Sequence, residues 1–249
     1  MNRFGKAVLL ALALVALPVL AAAQSVSIDL GAAGAPGATA RLVQLVALVT
    51  VLALAPSLLV MVTAFARIVV VLSLLRSALG TQNAPPNMVL IGLALFLTYF
   101  VMQPVLQHAW TAGLLPMSEG RVGTLAGLQL AAEPFHRFMS ASVRPADLRL
   151  FLDLGGMPTP ASPADTPWRA LVPAFMIGEM RRAFEMGFLL YLTFVVIDMV
   201  VSSVLMSLGM MMLPPSSVSL PLKIIFFVLV DGWRLVAGSL VQSFSGLHG

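Results

Sequence analysis

The sequence predicts an all-α membrane protein: about four long, broken apolar helices forming two helical hairpins, with a mainly helical insert between them. Three observations predict it. Hydrophobic residues make up 59% of the 249 and charged residues 10%, against about 25% charged in an ordinary globular chain. The apolar residues are bunched, so that 42–66, 77–118 and 199–222 carry no Asp, Glu, Lys or Arg, and each stretch can hold a span of about 20 residues. The N-terminus reads as an export leader.

That leader has a basic start with Arg3 and Lys6, an apolar run over 7–20, and Ala21-Ala22-Ala23 before Gln24. The small-residue pattern places cleavage between Ala23 and Gln24, and the apolar run is short for a span. Residues 1–23 are thus expected to be a cleavable signal peptide of bacterial type, and 24–41, rich in Gly, Ala and Ser, an exported flexible segment.

Residues 42–106 read as the first hairpin. Its apolar pattern runs to about Leu79 with Pro56 and two arginines inside, too long for one straight span, so a kinked helix or helix pair is expected. Gly80 to Asn87, with Pro85-Pro86, is a turn, and a second helix from Met88 should end near Pro104. Placing Arg76 on the cytoplasmic side agrees with an exported N-terminus. Residues 107–172 are a water-facing, periplasmic helical insert, least ordered over its prolines at 155–167. Residues 173–249 hold the second hairpin, with helices at about 183–208 and 221–241 joined by an apolar, methionine-rich loop.

Removing Arg3 and Lys6 with the leader takes the formal charge from +4 to +2. No dense basic cluster remains to neutralise phosphates, so nucleic acid is not an expected partner. Cysteine is absent, which removes disulfides, thiolate metal sites and cysteine nucleophiles. His108, His136 and His248 are scattered, without metal-ligand spacing. No catalytic triad, Walker loop or Rossmann glycine pattern is present, and neither an enzyme nor a cofactor is expected. An inverted-repeat transporter is disfavoured because the two hairpins do not match each other.

Five charges sit in or beside apolar helices: Arg67, Asp198, Lys223, Asp231 and Arg234. A charge in lipid is costly, so each should face a partner, a cavity or water. A proton or ion relay is one reading; ion pairs that fix helix and subunit register fit the mixture of signs better. Asp231 and Arg234 are i, i+3 on one helix. Folding the last two helices back about Pro214 puts Asp198 near the level of Asp231, which leaves Lys223 to seek an acid on a neighbouring subunit. Glu179 to Glu185, with Arg181 and Arg182 between, reads as a solvated interfacial cap.

Met210, Met211 and Met212 form a triplet between Gly209 and Pro214-Pro215. Apolar filling at a helix end is the plain reading. Gly209 and the two prolines stop the helix, however, and so put the methionines on a turn where packing alone does not demand them. Flexible, polarizable methionines from several copies could there seal a pore yet yield to varied polypeptide surfaces.

Several stretches resemble one family. Pro173-Ala-Phe-Met-Ile-Gly-Glu179-Met-Arg-Arg-Ala183-Phe184 and Pro221-Leu-Lys223-Ile-Ile-Phe-Phe-Val-Leu-Val-Asp231-Gly232-Trp233 resemble signatures of the FliP family and its injectisome relatives (SctR). The run from Val196 to Pro215, Arg67 to Arg76, and Gly80 to Asn87 are similarly family-like. Gly178 departs, standing where a serine is more usual. The resemblance covers roughly 42–244 and implies a non-enzymatic subunit of the bacterial flagellar protein-export gate in the inner membrane and basal body. It implies several copies, a pentamer, assembling with FliQ, FliR and other export-apparatus proteins around a channel for unfolded flagellar substrates. In that family the methionine segment forms the constriction, which maps to Met210, Met211 and Met212, and the leader favours the flagellar branch. The resemblance also implies a conical assembly in which broken helices serve protein packing rather than four flat spans.

Overall fold

The computed structural model describes residues 43–245 except 44, 48, 51, 52, 55, 56, 58, 59, 82 and 211. The expected cleavage at Ala23 and Gln24 lies outside the described residues. The chain divides at Ala53/Leu54 into two units. In the first, the described positions from 43 to 53 are helical, and Thr50 Oγ1 donates to the Val46 carbonyl at 2.7 Å. The second unit, all-helical among the described residues, holds everything below.

After a turn at 62–64, α1 (Phe65–Leu79) forms the centre of the second unit. Its buried positions, among them Ile68, Val71, Leu72, Leu75 and Leu79, recur every three to four residues, which is one broad face of an α-helix. Gly80 ends it at φ 79°, a left-handed conformation that costs glycine nothing. The following turn is tied back by Arg76, whose guanidinium donates to Asn87 Oδ1 at 2.5 Å and to the Pro85 carbonyl at 3.3 Å.

The second helix, α2 (Asn87–Ala109), does not end at Pro104 as the sequence suggested. It runs on through a π-helical turn, Trp110–Leu114, into α3 (Leu115–Ser118). Proline removes one backbone donor, and the tight packing of this region against the insert keeps the rod continuous. That insert is α4 (Thr124–Ser142) and α5 (Pro145–Leu154), then a 3₁₀ turn at Pro163–Asp165.

The third apolar helix starts well before the expected Ala183. It is α6 (Trp168–Ser207), 40 residues long and so about 60 Å from end to end at 1.5 Å per residue. A hydrocarbon core is about 30 Å thick. Half of α6 therefore suffices to cross it, and the other half packs on α1, α4 and α5. The buried stripe of that half is mostly small residues, Ala170, Ala174, Gly178, Ala183 and Gly187, with Leu171, Phe175 and Glu179 among them. Gly187 lies so close to Leu74 that a Cβ there would stand 2.2 Å from Leu74 Cδ1.

The expected single last helix is two. α7 (Pro215–Leu229) and α8 (Gly232–Ser245) meet at a bend of 64°, where Asp231 adopts φ 52°. Two continuous helical segments, 87–118 and 168–207, are long and apolar enough to cross a membrane, and the bent α7–α8 pair is a third candidate. Only 17% of the most apolar window of α6 is buried within the chain, so this surface is made for lipid or for other subunits.

Candidate functional site

The α6–α7 hairpin is shaped by its closing chemistry. Gly209 has φ 73°; its N–H bonds to the Met206 carbonyl and the Met210 N–H to the Leu205 carbonyl. These are the two bonds of a Schellman closure, in which a left-handed glycine satisfies carbonyls the helix end leaves free. Pro214 and Pro215 then start α7, with Pro215 as the first helical residue, where a missing N–H costs nothing. Between these fixed points Met210 is 43% and Met212 98% exposed; Met211 lies outside the described residues. A side chain as apolar as Met212, wholly uncovered at a rigid tip, has no packing role within its own chain.

Beneath the tip, Lys223 on α7 is buried. Its Nζ donates to Asp198 Oδ2 on α6 at 2.6 Å and to the Ala78 carbonyl at 3.1 Å. Ala78 belongs to the last turn of α1, whose carbonyls lack intrahelical donors and carry the negative end of the helix dipole. One ammonium thus joins three helices. This corrects the expectation that Lys223 pairs across a subunit boundary and that Asp198 lies level with Asp231. The Schellman closure ends α6 early, so the hairpin folds about the methionines rather than about Pro214, and that register brings 198 opposite 223. Asp231 and Arg234 do approach each other, at 3.9 Å, but both side chains are exposed, and such pairs contribute little.

Arg67 and Glu179 are the most buried charges among the described residues. They pair in a fork, Arg67 Nε to Glu179 Oε2 at 2.8 Å and Nη2 to Oε1, with both side chains 1% exposed. Arg182 Nη1 reaches the same Oε1 at 3.3 Å and its Nη2 the Ser142 carbonyl at 2.9 Å. The other side of Arg67 faces α8: Nη1 donates to Ser243 Oγ at 2.9 Å and to the Ser243 carbonyl at 3.3 Å, and the guanidinium carbon lies 3.7 Å from the centre of the Phe244 ring. The fork geometry and the aromatic face are what a guanidinium, and not an ammonium, can use.

Glu179 corrects the reading of 179–185 as a solvated cap, since it is buried and is the partner of Arg67. A signal existed: Glu179 stands four residues after Phe175 and four before Ala183, on the small-residue stripe, whereas Arg181 and Glu185 are off it and pair on the surface at 2.9 Å. Nearby, one oxygen of Asp147, Oδ2, is buried without a hydrogen-bond partner. A Cβ built on Gly178 would lie 3.6 Å from it. Gly178→Ser should place a hydroxyl donor at that oxygen, a gain of about 1 kcal/mol, and also remove a helix-interior glycine, a gain of about 0.5 kcal/mol because serine is a poorer helix former than alanine. Thermal unfolding of the purified protein should show Gly178→Ser melting higher and Gly178→Ala gaining less; equal gains would refute the hydrogen bond.

Comparison with known proteins agrees with these motifs. The FliP family model matches residues 48–240. A flagellar biosynthetic protein FliP of Caulobacter vibrioides is 56% identical over 95% of this chain and 89% of its own length. That of Agrobacterium fabrum is 46% identical over 93% of this chain and 96% of its own, and that of Bacillus subtilis 50% identical over 81% and 91%.

Proposed function

Because the chain belongs to the FliP family, we propose that it is a pore-forming core subunit of the bacterial flagellar type III protein-export gate. It is a membrane protein of the flagellar export apparatus and not an enzyme. In this reading several copies, a pentamer, assemble with FliQ and FliR and pass unfolded flagellar subunits across the inner membrane. The insert of α4 and α5 faces the periplasm, and Met210, Met211 and Met212 from each copy form the constriction.

One observation carries the proposal: Met212 is 98% exposed at a tip whose backbone is held by Gly209 on one side and Pro214-Pro215 on the other. A rigid base with a flexible apolar crown suits a seal that must close on itself and also admit chains of any sequence. The test changes all three methionines to alanine and measures ion leak, export of flagellar subunits, and assembly on native gels. Raised leak with intact assembly is the expected result. Unchanged leak and export would remove the constriction and leave the chain a scaffold.

A further inference from the structure

Four features of α8 fit together in a way the pore reading does not use. Its near end is a joint: α7 and α8 meet at 64° around Asp231 at φ 52°, a conformation that residues other than glycine adopt sparingly. Gly232 follows, packed so tightly on Phe227 that a Cβ would stand 2.2 Å from the ring, and Phe227 meets Trp233 edge-on at 5.3 Å. The far end is a clasp. Arg67 holds the Ser243 hydroxyl and carbonyl and the Phe244 ring, and Phe244 stacks on Phe138 of the insert at 6.2 Å.

Between joint and clasp the seat is narrow. Among the described residues of α8, Gly232, Val236, Leu240 and Phe244 are buried, about one per turn, with Ala237 and Val241 partly buried beside them. Beside them an open groove of about 310 Å³ runs along α8, with Val71 of α1, Met186 and Leu190 of α6 and Val236 of α8 on its floor and the exposed Leu189 and Leu235 on its rim. That flank of α8 therefore has no covering element within the described residues. A helix fastened at both ends, seated on one stripe and open along its flank, is a strap.

We infer that α8 is a hinged strap that pivots at Asp231–Gly232 and is latched over the α1–α6 seam by Arg67. Arg67 has two occupations of unequal strength. Its bidentate bond to Glu179 stays buried between α1 and α6, while its hold on Ser243 and Phe244 is one hydroxyl, one long carbonyl contact and a ring face. The second can open without stranding a buried charge, because Glu179 still satisfies the guanidinium. Opening uncovers Leu240 and widens the groove, which gives the subunit a way to alter its shape.

The chain has no cysteine, so Leu240→Cys supplies a single thiol at a position 0% exposed. Its rate of reaction with N-ethylmaleimide is measured in membranes carrying the full-length chain in its native-gel complex, with Leu75→Cys, at a core position 1% exposed, as the reference thiol. Combining Leu240→Cys with Phe244→Leu or with Ser243→Ala is expected to raise its labelling about tenfold or more, with Leu75→Cys unchanged in the same backgrounds and the complex intact. Ser243→Ala removes one hydroxyl only and keeps the test open should Phe244→Leu fail to assemble. Unchanged labelling at position 240 would show α8 to be fixed. A parallel rise at both thiols would mean general loosening. Either result overturns the strap. The readout needs neither export nor ion leak, so it stands or falls apart from the methionine constriction.

Discussion

Replacing Glu179 by alanine will leave the Arg67 guanidinium 1% exposed with no carboxylate, and the expected result is loss of about 3–5 kcal/mol of stability, the usual cost of stranding one member of a buried ion pair. Most marginal folds do not survive that. The pair's own net worth is smaller, since desolvating two charges nearly cancels their attraction, and this gives the discriminating control. Arg67→Leu combined with Glu179→Leu removes both charges and should recover a large part of the folded, membrane-inserted protein that Glu179→Ala loses. Recovery will be incomplete, because a leucine at position 67 cannot hold Ser243 and because Arg182 loses its contact with Glu179. Glu179→Gln should fall between, as the amide oxygen still accepts one bond but the charge is unanswered. Abundance in membrane fractions and resistance to mild proteolysis measure all three. If the double leucine variant is as depleted as Glu179→Ala, the cost lies in side-chain packing and not in the stranded charge.

The sequence carried the helices and their class because hydrophobic period and charge-free length are local properties. It carried the methionine turn for the same reason: Gly209 and Pro214-Pro215 write both ends of the loop into seven residues. What it did not carry was set by register. Whether Lys223 meets Asp198 or a distant acid depends on where a hairpin folds to within one helical turn, and a shift of the apex from Pro214 to the methionines changes every partner across it. The bend at Asp231 was hidden because the apolar pattern resumes on both sides of it, and Asp and Gly side by side can continue a helix or end one. The length of α6 was hidden by the proline-rich stretch before it, which made the insert look longer than it is. In each case a local pattern admitted two structures, and long-range packing chose.

Gly113 makes that choice visible, and Gly113→Ala is expected to be the most damaging alanine substitution among the described glycines. The residue lies in the π-turn after α2, where the spanning rod meets the insert. A Cβ there would stand 2.4 Å from the Ala131 nitrogen and 2.5 Å from the Gly127 carbonyl oxygen, both backbone atoms of α4. Neither can rotate away, so the helix itself must shift, and overpacking of this kind costs about 1–3 kcal/mol or more. Gly127 is the internal comparison. Its Cβ would stand 2.7 Å from Met117 Cβ, which no rotamer change moves, but Met117 sits in the four-residue α3 at the end of the rod, beside the turn at 119–122, and that short segment can shift without displacing α4. Purified Gly113→Ala should therefore melt about 5–10 °C lower than the parent protein and Gly127→Ala much less. The consequence reaches assembly, because α4 carries Phe138, which stacks on Phe244, and Ser142, whose carbonyl accepts from Arg182. A displaced α4 pulls on both sides of the Arg67 site at once. Gly113→Ala should accordingly raise thiol labelling at Leu240→Cys as well as lowering the melting temperature, whereas Gly127→Ala should leave that labelling alone. Equal melting shifts for the two alanines would show that α2 and α4 yield to each other easily, and the insert would then not be a fixed lever on the membrane helices.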